Sequence, residues 1–436
     1  MNLVRKVLLS AAIGGVGAGV AIAQQQPTTG PVAVYWMSAA TSTGMGGMAG
    51  MGMGGPGGPG MGGQPSRPPA QSQAPRRPGL GAMMGMALGG GVPGFGGGGR
   101  EAAQGAQGAR GYGGYGGAGG MPGMAGSGAA THALTLQLGS SQAAQGPPDA
   151  AHLPPDGLGA GPSLPLVTPQ VARPEPAEDS APPQMTQRPK GRMLIYWGCG
   201  DHAAAAPIVI DFSRIGPNMP APNIPFIAAS PGRPPSPGRF ATYGEWPNER
   251  GRTTVPPDGS LVGAHVVRGN YSPEIHFSLG PDQDFLPPLN VTSMDPTPAG
   301  GTRVSWSPVT GATGYYAWLF GAQDRGETVV VWTSGSVANM MGALTDYLPP
   351  SEVRRLIAQQ VVMPPQTTQC IVPSEVVKAS PFGMLSMIAY GDETDYADPP
   401  RPKAPKVVWN IRWTVKVRRK STTSALLGMP AGAGRY

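Results

Sequence analysis

The stretch that most constrains the fold runs from Thr302 to Thr333 and holds three short apolar runs. The runs are Val304 to Trp306, Tyr315 to Phe320 and Val329 to Trp332, and Gly, Pro or polar residues bound each one. Short runs rich in β-branched and aromatic residues, separated in this way, are typical of consecutive antiparallel strands. The stretch therefore predicts an all-β fold.

Other segments extend this β pattern. His132 to Leu138 alternates, with three leucines on one face, and Val407 to Arg418 alternates strictly, with Trp409 and Trp413 on one face and Lys416 and Arg418 on the other. Shorter strands are predicted at Pro207 to Phe212, Val262 to Val267, Glu274 to Leu279, Ile371 to Val377 and Met384 to Tyr390. One helix is predicted, Ser351 to Gln360, with Ser351 as its N-cap, and Ile215 to Pro257 is expected to be an extended proline-rich loop.

Two segments far apart in the chain share one internal similarity. Pro31 to Ala39 and Arg192 to Cys199 are both apolar runs that contain a Tyr-Trp pair, Tyr35-Trp36 in one and Tyr196-Trp197 in the other. Two copies are too few for a repeat array. We expect two equivalent strands, each the first strand of a β unit.

The spacing from Trp306-Ser307-Pro308 to Gly311-Ala312-Thr313-Gly314-Tyr315 resembles the second and third strands of a fibronectin type III domain. In that family a buried Trp on the second strand packs under an aromatic-rich third strand. The resemblance covers Pro287 to Gly391 and implies a β-sandwich used for contact rather than for chemistry.

The sequence also departs from the fibronectin pattern. Leu385 and Met387 stand where the family usually has a Tyr, and the insert from Ser334 to Ser380 is long for that fold. A divergent sandwich of the same general class is therefore an alternative.

The strand pattern places Trp306 in the core of this sandwich. Trp306 shares a face with Val304, and Tyr316 shares one with Trp318 on the next strand. We expect Trp306 to lie in the core under the strand that carries Tyr316 and Trp318, because large aromatics at a period of two are more simply explained by a shared core. The alternative is an exposed aromatic platform for a ligand.

The composition limits how much of the chain can fold. Seventy Gly and 53 Pro among 436 residues are typical of a low-complexity protein. Thr43 to Ala130 consists largely of Gly, Met, Ala, Gln and Pro and has no periodic apolar face, so we expect it to be disordered.

The expected organisation has six parts. They are a signal peptide at 1–23, a short β segment at 24–42, the Gly/Met-rich disordered insertion at 43–130, a β-rich region with Pro-rich loops at 131–285, the fibronectin-like or Ig-like sandwich at 286–420, and a disordered tail at 421–436.

The first 23 residues indicate export. Arg5 and Lys6 precede an apolar run that ends in Ala21-Ile22-Ala23, which is the pattern of a secretory signal peptide. We expect a periplasmic or extracellular protein without a transmembrane segment after cleavage. In that compartment the net charge of +7 favours anionic envelope polymers or lipid headgroups over nucleic acid as partners, and the alternative is a scattered basic surface without a specific partner.

The only two cysteines are Cys199 and Cys370. Disulfides persist outside the cytoplasm, so the two residues form a possible disulfide. The sequence leaves the pairing open, since it does not place their Cα atoms within bonding range.

Two kinds of metal site are considered. Thioether sulfur is a soft ligand that selects Cu(I), and ten of the 22 methionines lie between Met45 and Met124. The candidate copper ligands are Met45, Met48, Met51, Met53 and Met61, and the alternative is a flexible spacer.

The acidic run Gly391 to Asp398 could bind Ca²⁺ through oxygen ligands, although a solvated loop explains it equally well.

No catalytic motif is found. The five histidines are scattered, and Cys199 has no nearby His to activate it as a nucleophile. We therefore expect a non-enzymatic binding or scaffolding protein of the cell envelope, which contacts an envelope polymer or another envelope protein and needs no cofactor. One alternative is a periplasmic copper protein, and the other is an exported hydrolase that recruits His265 or the acidic run.

Limited proteolysis tests the expected disorder. We predict that protease cuts the purified protein first within Thr43 to Ala130 and leaves the C-terminal half intact, because a segment without an apolar face offers the protease an unfolded backbone. Mass spectrometry of the fragments gives the cleavage sites. A protected fragment that spans this insertion would contradict the prediction.

Overall fold

The computed structural model describes residues 28–44, 130–169, 191–214, 227–251, 253–324, 327–404 and 407–428. The predicted signal peptide, the five candidate copper ligands and nearly all of the predicted disordered insertion lie outside these residues, as does the end of the chain after residue 428.

The described residues are predominantly β-structure, as predicted. The strands are β1 (Thr28–Thr29), β2 (Ala33–Gly44), β3 (Thr131–Ser140), β4 (Ala150–Leu153), β5 (Leu164–Pro165), β6 (Arg192–Trp197), β7 (Ile208–Asp211), β8 (Thr242–Trp246), β9 (Gly263–Gly269), β10 (Ile275–Leu279), β11 (Val291–Pro296), β12 (Thr302–Trp306), β13 (Gly314–Gln323), β14 (Thr328–Thr333), β15 (Gln369–Val372), β16 (Met384–Asp398), β17 (Trp409–Asn410) and β18 (Trp413–Leu426). Two α-helices occur in this part of the chain, α1 (Pro350–Ala358) and α2 (Ser374–Ala379).

Nine of the strands form one central sheet, in the order β7-β6-β14-β13-β16-β18-β2-β3-β8. Two neighbouring pairs, β6 with β14 and β18 with β2, run parallel, and the remaining pairs are antiparallel. The sheet joins strands from both sides of the long insertion. It also crosses the domain boundary expected at residue 286, so that boundary does not separate two sheets.

The central sheet consists of two halves built on one plan. From the β13–β16 pair outward, one half contains β13, β14, β6 and β7, and the other contains β16, β18, β2 and β3. We call them the β14 half and the β18 half. In each half, counted outward, the three successive strand pairs are antiparallel, parallel and antiparallel. The Tyr-Trp strands β6 and β2 are each the third strand of their half. The two Tyr-Trp segments are therefore equivalent strands, as their sequences predict.

Two smaller sheets cover one face of the central sheet, which we call the covered face. The four-stranded sheet β10-β9-β4-β5 packs on the β18 half, and the three-stranded sheet β11-β12-β15 packs on the β14 half. The alternation of β18 places Val415 and Val417 on the covered face. The opposite face is called the reverse face below.

The core under the four-stranded sheet follows the predicted strand pattern. Leu134, Leu136 and Leu138 of β3 are buried on the covered face, as their alternation predicts. They pack with residues of β9 and β10 that are also buried, including Val267 and Phe277. Apolar burial on this scale is the main stabilising term for such a sandwich.

Trp306 is buried at 3% exposure beneath the central sheet, as predicted, but its neighbours differ from the prediction. Its ring meets Tyr315 edge-on, with 5.6 Å between centroids, and Tyr316 and Trp318 belong to a separate core on the reverse face. Trp306 therefore lies under the predicted strand, but the predicted core shared with Tyr316 and Trp318 is wrong. Strand β13 is buried on both faces, so its alternation does not indicate which residues face Trp306.

The closing strand lies further along the chain than expected. Trp409 belongs to the short strand β17, which pairs with β1, and β18 starts at Trp413. β18 then continues to Leu426, so the predicted disordered tail at 421–436 begins too early. Residues Ser421 to Leu426 have no clear apolar alternation, yet β16 and β2 bind them from both sides.

Four local predictions need correction. The acidic run Gly391 to Asp398 belongs to strand β16 rather than to a loop. The strand expected over Ile371 to Val377 ends at Val372, because Pro373 has no N–H for the ladder and precedes helix α2. Pro349, not Ser351, occupies the N-cap of α1. Strand β8 lies within the expected loop, and its partner β3 is too distant in the chain to leave a local signal.

We predict that Trp306→Ala lowers the free energy of unfolding by about 3–5 kcal/mol, because it leaves a cavity in a closely packed core. The control is Phe382→Ala, since Phe382 is 74% exposed and its truncation should change stability by less than about 0.5 kcal/mol. Urea unfolding measures both. Unchanged stability of Trp306→Ala would indicate an exposed platform instead of a core residue.

Candidate functional site

A row of cations lies on the reverse face of β18. The alternation of the strand places Lys416, Arg418 and Lys420 there, opposite Val415 and Val417. β18 is hydrogen-bonded to β16 on one side and to β2 on the other, so these three side chains project from the interior of the sheet rather than from an edge.

Two aromatic rings alternate with the cations. The Trp36 ring centroid lies 5.7 Å from Lys416 Nζ and 5.0 Å from Arg418 Cζ. The Tyr347 ring centroid lies 4.4 Å from Arg418 Cζ and 4.4 Å from Lys420 Nζ. We call these five residues the cation–aromatic row. Trp36 comes from β2, and Tyr347 comes from the loop before α1. Contacts of this kind each contribute roughly 0.5–2 kcal/mol.

Lys416 is already paired within the protein. Its ammonium lies 2.8 Å from a Glu393 carboxylate oxygen and 2.9 Å from one of Asp395. Burial alone would lower the pKa of Lys416, but the bonds to these two carboxylates outweigh burial and the pKa lies above its ordinary value. The charge of Lys416 is thus compensated locally.

Arg418 is buried without such compensation. Only 6% of its surface is exposed, and its Nε donates a hydrogen bond of 2.7 Å to Ser38 Oγ. Its Nη1 has no hydrogen-bond partner, and no carboxylate of the described residues lies within ion-pair distance of the guanidinium. Burial lowers the pKa of Arg418, while the more distant Asp346 acts in the opposite direction.

Lys420 carries the third charge of the row. Its Nζ donates a hydrogen bond of 3.3 Å to the Thr345 carbonyl oxygen. Its pKa is lowered to about 8, mainly by burial; Asp346 opposes this shift, and the charge of Arg418 adds to it. Lys420 therefore still carries most of its charge at neutral pH.

Residues 227–241 cross the reverse face as a proline-rich segment, which we call the strap. Its Gly232 packs against Trp36 so closely that an added Cβ would stand 2.6 Å from the indole ring. Gln137 of β3 donates a hydrogen bond of 3.2 Å to the carbonyl oxygen of Pro235. Arg233 and Arg239 line a groove in the strap and give it positive charge.

Hydroxyl groups continue the polar surface beyond Lys420. Ser42 and Thr422 share a hydrogen bond of 2.9 Å, and Ser386 and Ser424 share one of 3.0 Å. The reverse face of β18 thus carries hydroxyl pairs next to the cations, a surface that can bind anionic and hydroxylated groups.

The reverse face of the β14 half has the opposite character. There Ile195, Tyr316 and Val331 are buried against helix α1, through residues such as Val353 and Leu356. The same sheet architecture is therefore apolar and covered by a helix in one half and carries a cation–aromatic row in the other. The fold itself does not require the cations.

A second polar cluster is buried between the central sheet and the four-stranded sheet. Tyr35 hydroxyl lies 2.9 Å from His152 Nδ1, His152 Nε2 lies 3.1 Å from His265 Nδ1, and His265 Nε2 lies 2.7 Å from the Leu261 carbonyl oxygen. Because that carbonyl only accepts, His265 Nε2 donates to it, and with both histidines neutral each group of the chain donates to the next one. Burial lowers the pKa of His152 well below its ordinary value, and it lowers that of His265 as well.

The structure accounts for several candidate residues from the sequence. Cys199 and Cys370 form a disulfide with 5.2 Å between their Cα atoms, which ties the end of β6 to β15. His265 is fully buried with both ring nitrogens bonded, so it is not accessible to a substrate. In the acidic run, Glu393 and Asp395 pair with Lys416, and Asp398 pairs with Arg412.

The sequence indicates only part of the row. The alternation of the closing strand places Lys416 and Arg418 on its polar face, and the Tyr-Trp similarity marks Trp36. Lys420 stands at the predicted end of the strand, and nothing local marks Tyr347, which reaches the row from another loop. The candidate copper ligands Met45, Met48, Met51, Met53 and Met61 lie outside the described residues. Among the described residues, no cluster of three or more His, Cys, Asp or Glu side chains could hold a metal ion.

Comparison with protein-family models, with curated proteins and with solved structures finds no match to this chain. Within the described ranges, no helix is both long enough and apolar enough to cross a membrane.

The buried histidines predict acid sensitivity. Their pKa values are lower in the folded protein than the ordinary 6.5, so their stabilising effect is complete above pH 6.5 and is lost as the pH falls below it. We expect the free energy of unfolding to fall by about 2 kcal/mol between pH 7.5 and pH 5.5.

Urea unfolding at the two pH values measures this loss. His152→Asn should remove a large part of the pH dependence, since it removes one of the three histidines whose pKa is lowered by burial, the others being His132 and His265. The control, Phe382→Ala, changes an exposed residue that carries no titratable group and should leave the pH dependence as it is. Equal pH dependence in His152→Asn and the unchanged protein would contradict the assignment.

Proposed function

We propose that this chain is an exported, non-enzymatic binding protein of the cell envelope, and that it contacts an anionic envelope polymer through the cation–aromatic row. The observation that carries the proposal is the contrast between the two halves of the central sheet. In the β14 half the reverse face is a conventional core under a helix. In the β18 half it carries three cations, two aromatic rings and paired hydroxyl groups.

Charge and chemistry favour an anionic partner. Buried cations reduce stability unless a partner compensates them, so the fold alone gives no reason to keep Arg418 and Lys420 here. Aromatic faces and hydroxyl groups beside the cations suit a polymer that carries both sugar rings and anionic groups. The basic net charge of the chain supports the same class of partner.

Export is supported by the disulfide and by the N-terminal pattern. A disulfide between Cys199 and Cys370 is stable in the oxidising conditions outside the cytoplasm. Arg5 and Lys6, followed by the apolar run to Ala23, fit a signal peptide. Both features agree with a periplasmic or extracellular location.

We further infer that residues 286–420 are a divergent relative of fibronectin type III domains. Counting the seven long strands from β11 to β18, the first, second and fifth form one sheet, and the third, fourth, sixth and seventh lie in the other. Apart from the fourth strand, Ig-like sandwiches distribute their strands in this manner. Domains of this class commonly serve as contact modules, which suits a binding role.

Co-sedimentation with purified peptidoglycan sacculi tests the proposed function. We expect the disulfide-bonded protein to sediment with the sacculi at low salt and to be released as salt rises, because the attraction is electrostatic. Lys420→Gln removes one unpaired charge of the row and should weaken binding about tenfold.

The matched control is Arg303→Gln, which removes an exposed charge from the covered side of the molecule. Its binding should equal that of the unchanged protein. If the unchanged protein stays in the supernatant at every salt concentration, or if both variants bind equally, the proposed function is wrong.

A further inference from the structure

We propose that Arg418 is the anchor of an oxyanion-binding site, where a carboxylate or phosphate group of the ligand accepts hydrogen bonds from the guanidinium. This inference rests on the proposed binding function, because it names the chemical group that the cation–aromatic row would recognise. The site consists of Arg418, Lys420, Trp36, Tyr347 and Ser38.

The Arg418 guanidinium has no anionic partner among the described residues. Arg418 is 94% buried, its Nη1 has no hydrogen-bond acceptor, and the described residues place no carboxylate within 4 Å of it. Proteins seldom bury a guanidinium without an anion, because the desolvation cost is then uncompensated. Lys416, two residues away on the same face, shows the usual solution with its two carboxylates.

Two aromatic rings enclose the Arg418 guanidinium. Trp36 also contacts Lys416, and Tyr347 also contacts Lys420, so the two rings lie on opposite sides of Arg418 along the strand. Stacking on both sides leaves only the edges of the guanidinium for hydrogen bonds. Ser38 accepts a hydrogen bond from Nε on one edge, and the buried Nη1 on the other edge has no acceptor. An edge-on oxyanion is the ligand that such a fork recognises.

The positive charge of Arg418 and Lys420 exceeds the negative charge near them. Glu393 and Asp395 are engaged by Lys416, and Asp346 is the remaining carboxylate that acts on both Arg418 and Lys420. Asp346 forms no ion pair with either cation. Two cations therefore face one distant carboxylate, and a bound oxyanion restores the balance.

Two loops, the strap and the loop that carries Tyr347, pack on the cation–aromatic row and limit access to Arg418. The Nη1 atom is not exposed, and the strap packs on the Trp36 side of the row through Gly232. An oxyanion reaches the guanidinium only after the strap or the Tyr347 loop moves. Both covers are loops rather than strands of the central sheet, so they can move without breaking its hydrogen bonds.

Thermal unfolding of the full chain tests the site with two small probes, inorganic phosphate and galacturonate, against sodium chloride at equal ionic strength. A probe that binds only the folded protein raises the melting temperature. We expect a rise of about 5 °C when the probe exceeds its dissociation constant a hundredfold. The probe that gives the larger rise identifies phosphate or carboxylate as the preferred group.

Two substitutions of Arg418 isolate its contribution. Arg418→Met removes a buried unpaired charge, so it should melt at or above the temperature of the unchanged protein and lose the probe-dependent rise. Arg418→Lys keeps the charge but loses the planar fork, and its response should need at least about tenfold more probe. Arg303→Met, at an exposed position, should respond like the unchanged protein.

The proposal is overturned if Arg418→Met retains the same rise as the unchanged protein, or if chloride alone produces it. Sacculi sedimentation separates this result from the proposed function. A chain that responds to the probes through Arg418 but does not sediment has the oxyanion site and a different partner. A chain that sediments without any Arg418-dependent response binds the polymer through other residues.

Discussion

The antiparallel pairing of β13 with β16 is the interaction on which the rest of the structure depends. It joins Gly314–Phe320 to Met384–Tyr390 at the centre of the nine-stranded sheet. On one side of this pair lie β14, β6 and β7, and on the other lie β18, β2, β3 and β8. Both small sheets and both cores use the central sheet as their common wall. The chain therefore folds around one continuous sheet, although its sequence suggests separate β regions.

The two halves of this sheet share their strand directions but differ on the reverse face. Their strand directions correspond, and each contributes a Tyr-Trp strand with its tyrosine in the covered core, Tyr196 in one and Tyr35 in the other. They differ on the reverse face, where one half buries apolar side chains under α1 and the other carries Arg418 between Trp36 and Tyr347. The shared architecture forms without buried cations in the β14 half, and this contrast is the basis of the binding function that we propose for the β18 half.

The sequence predicts which residues of a strand are buried better than it predicts which strands pair with one another. The alternation of β3 correctly placed Leu134 and its neighbours in the core, and Trp306 is buried as expected. Strand β13 is buried on both faces, so its pattern could not show that Tyr315, rather than Tyr316, meets Trp306. The end of β18 was missed because its polar residues are stabilised by pairing with two distant strands. The candidate site depends on similar long-range contacts, which bring Trp36 and Tyr347 to Arg418 from distant positions in the sequence.

Native-state hydrogen exchange tests the single continuous sheet most directly. The amides of Val330 in β14 and Val417 in β18 are the right pair to compare, since both side chains are fully buried within interior strands of different halves. If the sheet opens as one cooperative unit, both amides exchange with the same free energy and the same dependence on denaturant. Exchange of Val417 with a free energy several kcal/mol below that of Val330 would show that the halves unfold independently, and it would contradict this account.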